Sequence, residues 1–304
     1  MTKFDAQHLL ITLAQGIRKK VYPYLGQPAA REVHGTAYSG DATFQIDVIA
    51  ENEVENYLSG IASNIAYYTE DRGLVKPNAA PEWLLIIDPI DGTRPAFSGF
   101  ESAVVSIALC PFCENPIFKD MTHAVILELK TGNLFYAQAG AGVLLQSSDP
   151  FLSIMPSSTE KLEPLRWCFD IVGRPVQQIF NDLGALIDQS SYQGGVYIFN
   201  CSAFAITRIV TGQLDAYIDT SGRTAGDAEH NIHNLQIPSQ QPTMGLFAYD
   251  IAAAYLIAQE AECTITDSYG KSLETASLVD KQILSCIAAS NLKLHQKLVA
   301  WLNR

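Results

Sequence analysis

The sequence predicts an α+β fold whose second half passes into α/β order, and three observations carry that prediction. Apolar residues recur at helical period in the first sixty-odd positions, short apolar runs bounded by turn residues dominate the middle, and strands alternate with helices beyond position 165. At 304 residues the chain can bury a substantial core.

The first helix is read from the stripe Phe4, Leu9, Leu10, Leu13, Ala14, Ile17 and Val21, interrupted by Asp5, Gln7, His8 and Gln15. A turn at 40–43 leads into a second stripe through Val54, Tyr57, Leu58, Ile61 and Ile65. Trp83-Leu84-Leu85-Ile86-Ile87 is short, apolar and closed by Asp88-Pro89, the pattern of a buried strand. Strands over 103–109, 124–129 and, after Thr131-Gly132-Asn133, 134–137 predict a largely antiparallel sheet carrying the first two helices. A Ser- and Pro-rich stretch at 146–163 marks a junction, so residues 1–150 are expected to form an N-terminal α+β subdomain and 151–304 a C-terminal α/β subdomain. In the second, strands are expected at 166–170, 195–199, 214–219, 264–266 and 283–288, and helices at 176–187, 202–211, 251–261 and 292–302.

Composition narrows the function classes. Apolar residues make up 48% of the chain, mean hydropathy is +0.08, and no window holds the roughly eighteen uninterrupted apolar residues that a membrane span requires. The amphipathic start lacks a secretory core, so a cytoplasmic location is expected. A net charge of −12, with no Lys/Arg cluster, disfavours nucleic acid and anionic membranes. The same charge repels a phosphate ester unless cations sit inside the site, and clustered carboxylates are how a protein holds Mg²⁺. Cys110 and Cys113 frame Pro111-Phe112 between two strands, with no following helix to activate a thiol, and no second cysteine pair completes a zinc site. Gly140-Ala141-Gly142 lacks the third glycine of a dinucleotide loop and fits a hairpin turn.

The most informative stretch is Asp88-Pro89-Ile90-Asp91-Gly92-Thr93, two acids three residues apart at the end of a buried strand. A carboxylate there is costly unless it is paired or bound to metal. Pro89 holds Asp88 extended, Gly92 permits close backbone approach to an anion, and a helical turn starting at Thr93 would offer free N–H groups. Asp-Gly is also a common turn, and paired aspartates can simply cap a helix. Further acids accompany the stretch: Asp41 and Asp47 before the second helix, Glu70 and Asp71 after it, and Asp250 opening the apolar helix that leads to Glu260 and Asp267.

In that combination, running through Leu214 to Tyr217 and closing at Ala288-Ala289-Ser290, the chain resembles the inositol monophosphatase superfamily over nearly its whole length. The resemblance implies a five-layer αβαβα sandwich. It implies two or three Mg²⁺ held by Glu70, Asp88, the Ile90 carbonyl, Asp91 and Asp250, and places Asp47, Glu70 and Thr93 where the attacking water is oriented or deprotonated. Gly92, Thr93, Ser202, Asp219 and Asp250 fall at substrate-binding positions. The activity implied is hydrolysis of a phosphomonoester, inositol monophosphate or a related polyol or sugar phosphate. Histidinol-phosphatase, fructose-1,6-bisphosphatase and 3′-phosphoadenosine phosphatase are alternatives within the superfamily, and a non-catalytic ligand-binding member is an alternative of another class. Lithium sensitivity and a homodimer are implied as well. An aspartyl-phosphate enzyme spaces its two aspartates by two residues rather than three, which argues against that chemistry.

Four features depart from the superfamily pattern. Asn200-Cys201-Ser202 replaces a Gly-Ser-Ala or Gly-Thr-Ala segment, which would direct Asn and Cys side chains at the ligand. Asp219 stands where inositol monophosphatases carry a glutamate that holds a substrate hydroxyl, and it can equally well just end a strand. The segment between Ser221 and Phe247, with Arg223, Asp227, Glu229, His230 and His233, exceeds the superfamily minimum and is read as a lid or a surface excursion. Arg94, directly after the threonine, is a point of resemblance to members acting on histidinol phosphate and related substrates, or it forms a surface ion pair.

Overall fold

In the computed structural model, which describes residues 5–61, 64–78, 80–223 and 245–304, two mixed sheets alternate with three layers of helix. Helix α1 (Ala6–Val21) buries Leu10, Leu13, Ala14 and Ile17, the stripe that its period predicts. A short hairpin, β1 (Val33–Thr36) and β2 (Ala42–Phe44), precedes helix α2 (Gln45–Gly60). The expected turn at 40–43 is thus displaced, since Ala42 and Thr43 already belong to β2. The second helical stripe is also shorter than predicted. Ile61 is extended, and Ile65 opens β3 (Ile65–Thr69), whose β-branched and aromatic side chains are buried on both faces and outweigh an accidental helical spacing.

The seven-stranded sheet continues with β4 (Gly73–Val75), β5 (Trp83–Asp91), β6 (Val104–Pro111), β7 (His123–Glu128), β8 (Leu134–Gln138) and β9 (Val143–Gln146), and helix α3 (Thr93–Ser98) follows β5. It is antiparallel except where β3 and β5 run parallel. The Gly140-Ala141-Gly142 segment is the β8–β9 hairpin turn, and the Gly140 and Gly142 N–H groups both donate to Glu260 at 2.7 Å. Cys110 ends β6 buried, Cys113 is exposed, and both thiols are free. Burial pushes the Cys110 thiol up to about 12, the opposite of an activated thiolate.

The five-stranded sheet contains β10 (Arg166–Cys168), β11 (Gly195–Tyr197), β12 (Ala216–Asp219), β13 (Thr264–Thr266) and β14 (Cys286–Ala289) in the order β11-β10-β12-β14-β13. Its helices are α4 (Val176–Ser190), α5 (Ser202–Val210), α6 (Ala248–Glu260) and α7 (Leu292–Leu302). Three apolar cores separate the layers. One lies between α1/α2 and the large sheet, one holds α5 and α6 between the sheets, and one packs α4 and α7 on the far face of the small sheet. This is the αβαβα sandwich. Alternation along β5 decides which layer each side chain meets: Leu85 and Ile87 join the outer core, and Leu84 and Ile86 the central one. Sandwiched between sheets, α6 is buried on nearly every side, which explains its almost wholly apolar sequence. Among the described residues no helix is long and apolar enough to cross a membrane.

One polar link crosses the central layer. Arg208 on α5 donates to Glu128 at the end of β7, and its guanidinium lies 4.5 Å from the Phe204 ring centroid. Glu128 also accepts from Asn133 Nδ2 at 2.8 Å. Both partners are buried, so removing one strands the other's charge. Arg208→Met is expected to cost about 3–5 kcal/mol in urea unfolding, and the double variant Arg208→Met/Glu128→Leu to cost less than that single change.

Candidate active site

The acids of the candidate site are delivered by strand ends and helix starts. β3 and β5 are parallel with Thr69 opposite Ile87, so the next residues, Glu70 and Asp88, emerge side by side. On β5 the pairing runs Asp88 to Ser106 and then Asp91 to Val104, which inserts one extra residue. Acids three apart on a regular strand would face opposite sides. The bulge restores parity, so Asp88 and Asp91 share a side. Pro89, which has no N–H to offer the ladder, sits inside this bulge. The strand therefore runs through Asp91 instead of stopping at Asp88, a refinement of the turn expected from sequence.

Gly92 then takes φ +86°, and helix α3 begins at Thr93. A Cβ at Gly92 would lie 2.5 Å from the Ser102 carbonyl oxygen and 3.0 Å from Cys201 Cβ, so only glycine fits. Asp250 comes from the first turn of α6, where Oδ2 accepts from the Phe247 N–H at 2.6 Å. Asp47 uses the same device in the first turn of α2, accepting from the Phe44 N–H at 2.9 Å. In both places an acid near a helix N-terminus meets the positive end of the dipole and an otherwise unpaired donor.

Carboxylate oxygens of Asp88, Asp91 and Asp250 come within 4.8 Å of one another. Glu70 lines the same cavity, together with Ile90, Gly92, Thr93 and Ser202. Asp91 is oriented by the α5 N-terminus, accepting from the Ala203 N–H at 2.7 Å and lying 3.4 Å from Ser202 Oγ. Ser202 also donates to the Asp250 carbonyl at 3.1 Å, tying the two helix starts together. Thr93 Oγ1 is 2.9 Å from Asp47 Oδ1 and 3.1 Å from the Ile90 carbonyl oxygen.

Electrostatics mark this cluster as incomplete without a cation. Burial, followed by repulsion from Asp250 and Asp47, holds Glu70 well above the ordinary carboxylate range. Burial and then Glu70, Asp91 and Asp250 do the same to Asp88, and burial and then Asp91 to Asp250. Burial raises Asp91 to about 7 despite the Ala203 N–H, and Asp47 to about 7 despite the Phe44 and Thr93 donors. Two arginines border the cavity, and each is already committed: Arg94 pairs with Asp41 at 2.9 Å and Arg174 with Asp219 at 2.6 Å. A set of hard, mutually repelling oxygens with no unpaired cation beside it among the described residues fits a divalent metal site.

The departures fall as follows. Cys201 lines the cavity, but its thiol turns back to the Asp91 carbonyl at 3.2 Å, and the Asn200 side chain accepts from the Ile171 N–H at 3.2 Å. Asp219 lies behind the cavity wall, clamping Arg174. Asp227, Glu229, His230 and His233 lie outside the described residues. Two charged cavity residues escaped the sequence reading, Asp170 and Arg174. Asp170 had a signal available, an acid closing a predicted apolar strand, the very signature that singled out Asp88. Arg174 had none.

A model of the inositol monophosphatase family matches residues 5–304, and the chain belongs to that family. It is 26% identical to a bifunctional NADP phosphatase/NAD kinase of Methanococcus maripaludis over 97% of this chain and 49% of that protein. It is 24% identical to a fructose-1,6-bisphosphatase/inositol-1-monophosphatase of Methanothermobacter thermautotrophicus over 95% of this chain and 93% of that one. The chain spans about half the length of the first curated relatives it matches. A crystal structure of an inositol monophosphatase–fructose 1,6-bisphosphatase superposes with a TM-score of 0.73 at 24% identity, covering 98% of this chain and 100% of that one, which establishes the shared fold.

Two outcomes follow from the geometry. Gly92→Ala forces an L-residue into the left-handed region and against the Ser102 carbonyl, so thermal unfolding should show a loss of about 1–3 kcal/mol or more. The pH response of metal-free protein has a definite sign. Asp47 and Asp91 keep their protons up to about 7 when folded but release them near 4 when unfolded. The folded state therefore binds more protons between those limits, and stability falls as pH rises through 7. In EDTA, the melting temperature should be higher at pH 6 than at pH 8, and Asp91→Asn should shrink the difference.

Proposed function

We propose that this chain is a Mg²⁺-dependent phosphomonoesterase acting on a small phosphorylated metabolite, inositol monophosphate or a related polyol or sugar phosphate. The observation that carries the reading is the convergence of Asp88, Asp91 and Asp250 within 4.8 Å in a cavity that Glu70 also lines. Glu70, Asp88, Asp91, Asp250 and the Ile90 carbonyl would hold the ions, an all-oxygen set of the kind Mg²⁺ takes. When bound, two or three Mg²⁺ supply an acidified water and charge stabilisation for the leaving oxygen.

The protein's own proton handling rests on Thr93 and Asp47. The Thr93 hydroxyl has one proton and two acceptors in reach, Asp47 Oδ1 and the Ile90 carbonyl. When it donates to Asp47, its lone pairs are free to accept from a water in the cavity. A proton leaving that water can then pass to Thr93 Oγ1 while the Thr93 proton moves to Asp47. Burial favours this direction, since an Asp47 raised to about 7 accepts a proton far more readily than an ordinary aspartate. Gly92 keeps the cavity floor free of a side chain, and Ser202 fixes Asp91 against Asp250.

Family membership and the names of its relatives support phosphate-ester hydrolysis, and they widen the substrate range to test. Inositol 1-phosphate, fructose 1,6-bisphosphate, histidinol phosphate, 3′-phosphoadenosine 5′-phosphate and NADP form the panel, compared as kcat/KM. The location proposed is cytoplasmic, and the assembly a homodimer. A non-catalytic ligand-binding role would show binding without turnover across the same panel.

Phosphate release with Mg²⁺ should be abolished by EDTA and reduced by Asp88→Asn to background, and unchanged activity in that variant would remove the ligand assignment. Asp47→Asn should lower kcat by about 10²–10⁴ with little change in KM. Millimolar Li⁺ should inhibit phosphate release, as expected if it competes for the cation sites.

A further inference from the structure

On the large sheet one buried hydroxyl has no partner, and it stands beside a carboxylate of the metal-type cluster. Ser106 is the third residue of β6, is 1% exposed, and its Oγ makes no hydrogen bond among the described residues. Three of its neighbours on that face are apolar. Val104 and Ala108 flank it along β6 and Ile126 lies opposite it on β7, all within the central core. On the remaining side its partner across the ladder is Asp88 of β5. Directly opposed residues point to the same face with Cβ atoms about 4.5–5.5 Å apart, so a change of rotamer alone brings this hydroxyl to that carboxylate. A buried hydroxyl without a partner is costly, and an unsatisfied group of this kind points to a functional contact.

Asp88 has room for the contact. Its Oδ1 accepts from the Ile90 N–H at 3.0 Å. A carboxylate offers about four acceptor positions, so that bond leaves positions for a cation and for a further donor. Thr69 pairs with Ile87, which puts Glu70 beside Asp88 on β3 while Ser106 stands beside it on β6. Glu70 repels the Asp88 carboxylate, and Ser106 is placed to donate to it. A lysine or arginine at this position would neutralise the acid and compete with a cation. A hydroxyl fixes the orientation of the carboxylate and leaves its charge for the metal.

We propose that Ser106 is a positioning residue for the metal site, its hydroxyl donating to the Asp88 carboxylate and holding it in the orientation that binds the cation. The role rests on the reading of Asp88 as a metal ligand. It accounts for a polar residue at the head of a row that continues through Ile126 and Phe135, where packing against the central layer favours an apolar side chain. Donors that orient a ligating group typically change metal affinity or activity by about 10–100-fold when they are removed.

The test titrates Mg²⁺ into the full chain by calorimetry with no substrate present, and follows thermal unfolding of the same proteins in EDTA. Ser106→Ala is nearly isosteric and should weaken Mg²⁺ binding about tenfold or more. Its melting temperature in EDTA should be no lower than that of the wild type, because the hydroxyl it removes has no bond to lose. Ser106→Cys, which keeps a weaker donor, should fall between the two in Mg²⁺ affinity. The Mg²⁺ concentration giving half-maximal phosphate release from inositol 1-phosphate should rise by the same factor as the dissociation constant. A lower melting temperature in EDTA with unchanged Mg²⁺ affinity would reveal a merely structural hydroxyl and overturn the proposal, leaving the metal reading intact. A wild-type protein that binds no Mg²⁺ would overturn both. Mg²⁺ binding weakened by Ser106→Ala in a protein that hydrolyses no phosphate ester would keep the positioning role and remove the phosphatase reading.

Discussion

Five carboxylates drawn from four separate stretches of chain repel one another in and beside one cavity, and the architecture around them is organised to bear that repulsion. Asp47 and Asp250 each sit in the first turn of a helix and accept the N–H that precedes it. Asp91 accepts from the start of a third helix, α5. Helix dipoles and unpaired amide donors contribute on the order of 1 kcal/mol each, well short of cancelling the burial of several charges. A divalent cation held by these acids, as the proposed function requires, would supply the remaining deficit, and metal affinity and apo-state strain would then be two sides of one electrostatic balance.

That requirement explains local features that stability alone would not select. The bulge at Asp88–Asp91 interrupts an otherwise regular ladder, and Pro89 and a left-handed Gly92 follow in the same turn of chain. Each weakens a strand, and together they put two acids on one side of the sheet and stop the chain from filling the cavity floor. The central layer compensates. Helix α6 buries ten of its residues between the sheets, and α5 all nine of its own, so the helix starts that hold Asp91 and Asp250 are anchored by apolar packing.

Much of this was legible in the sequence, and the limits have physical causes. Asp88, Asp91 and Gly92 stood out because an acid after five apolar residues has no inexpensive solution other than a partner or a metal. Asp250 stood out because it opens an apolar helix. The parity-restoring bulge was not legible, since one extra residue leaves no trace in hydrophobic alternation when both faces of β5 are buried. The end of α2 was misread because Ile61 and Ile65 fall on a helical spacing by accident, and only the β-rich run that follows argues otherwise. Asp219 drew attention through the resemblance, as the counterpart of a substrate-holding glutamate, yet in the fold it clamps Arg174, a contact between residues 45 apart that the sequence does not disclose.

The two sheets divide the chemistry between them. Glu70, Asp88 and Asp91 come from the large sheet, and Asp170 and the clamp on Arg174 from the small one, with α5 and α6 wedged between. Asp88 and Asp91 from the large sheet converge with Asp250 of α6 to within 4.8 Å, a spacing that under the proposed function would let them share cations and would leave little freedom for variation. The small-sheet side has to satisfy only hydrogen bonds. Under the proposed function, a change on the small-sheet wall would alter the contacts to the rest of the substrate without moving the carboxylates, so the layered arrangement would let specificity change while the hydrolytic machinery stays fixed.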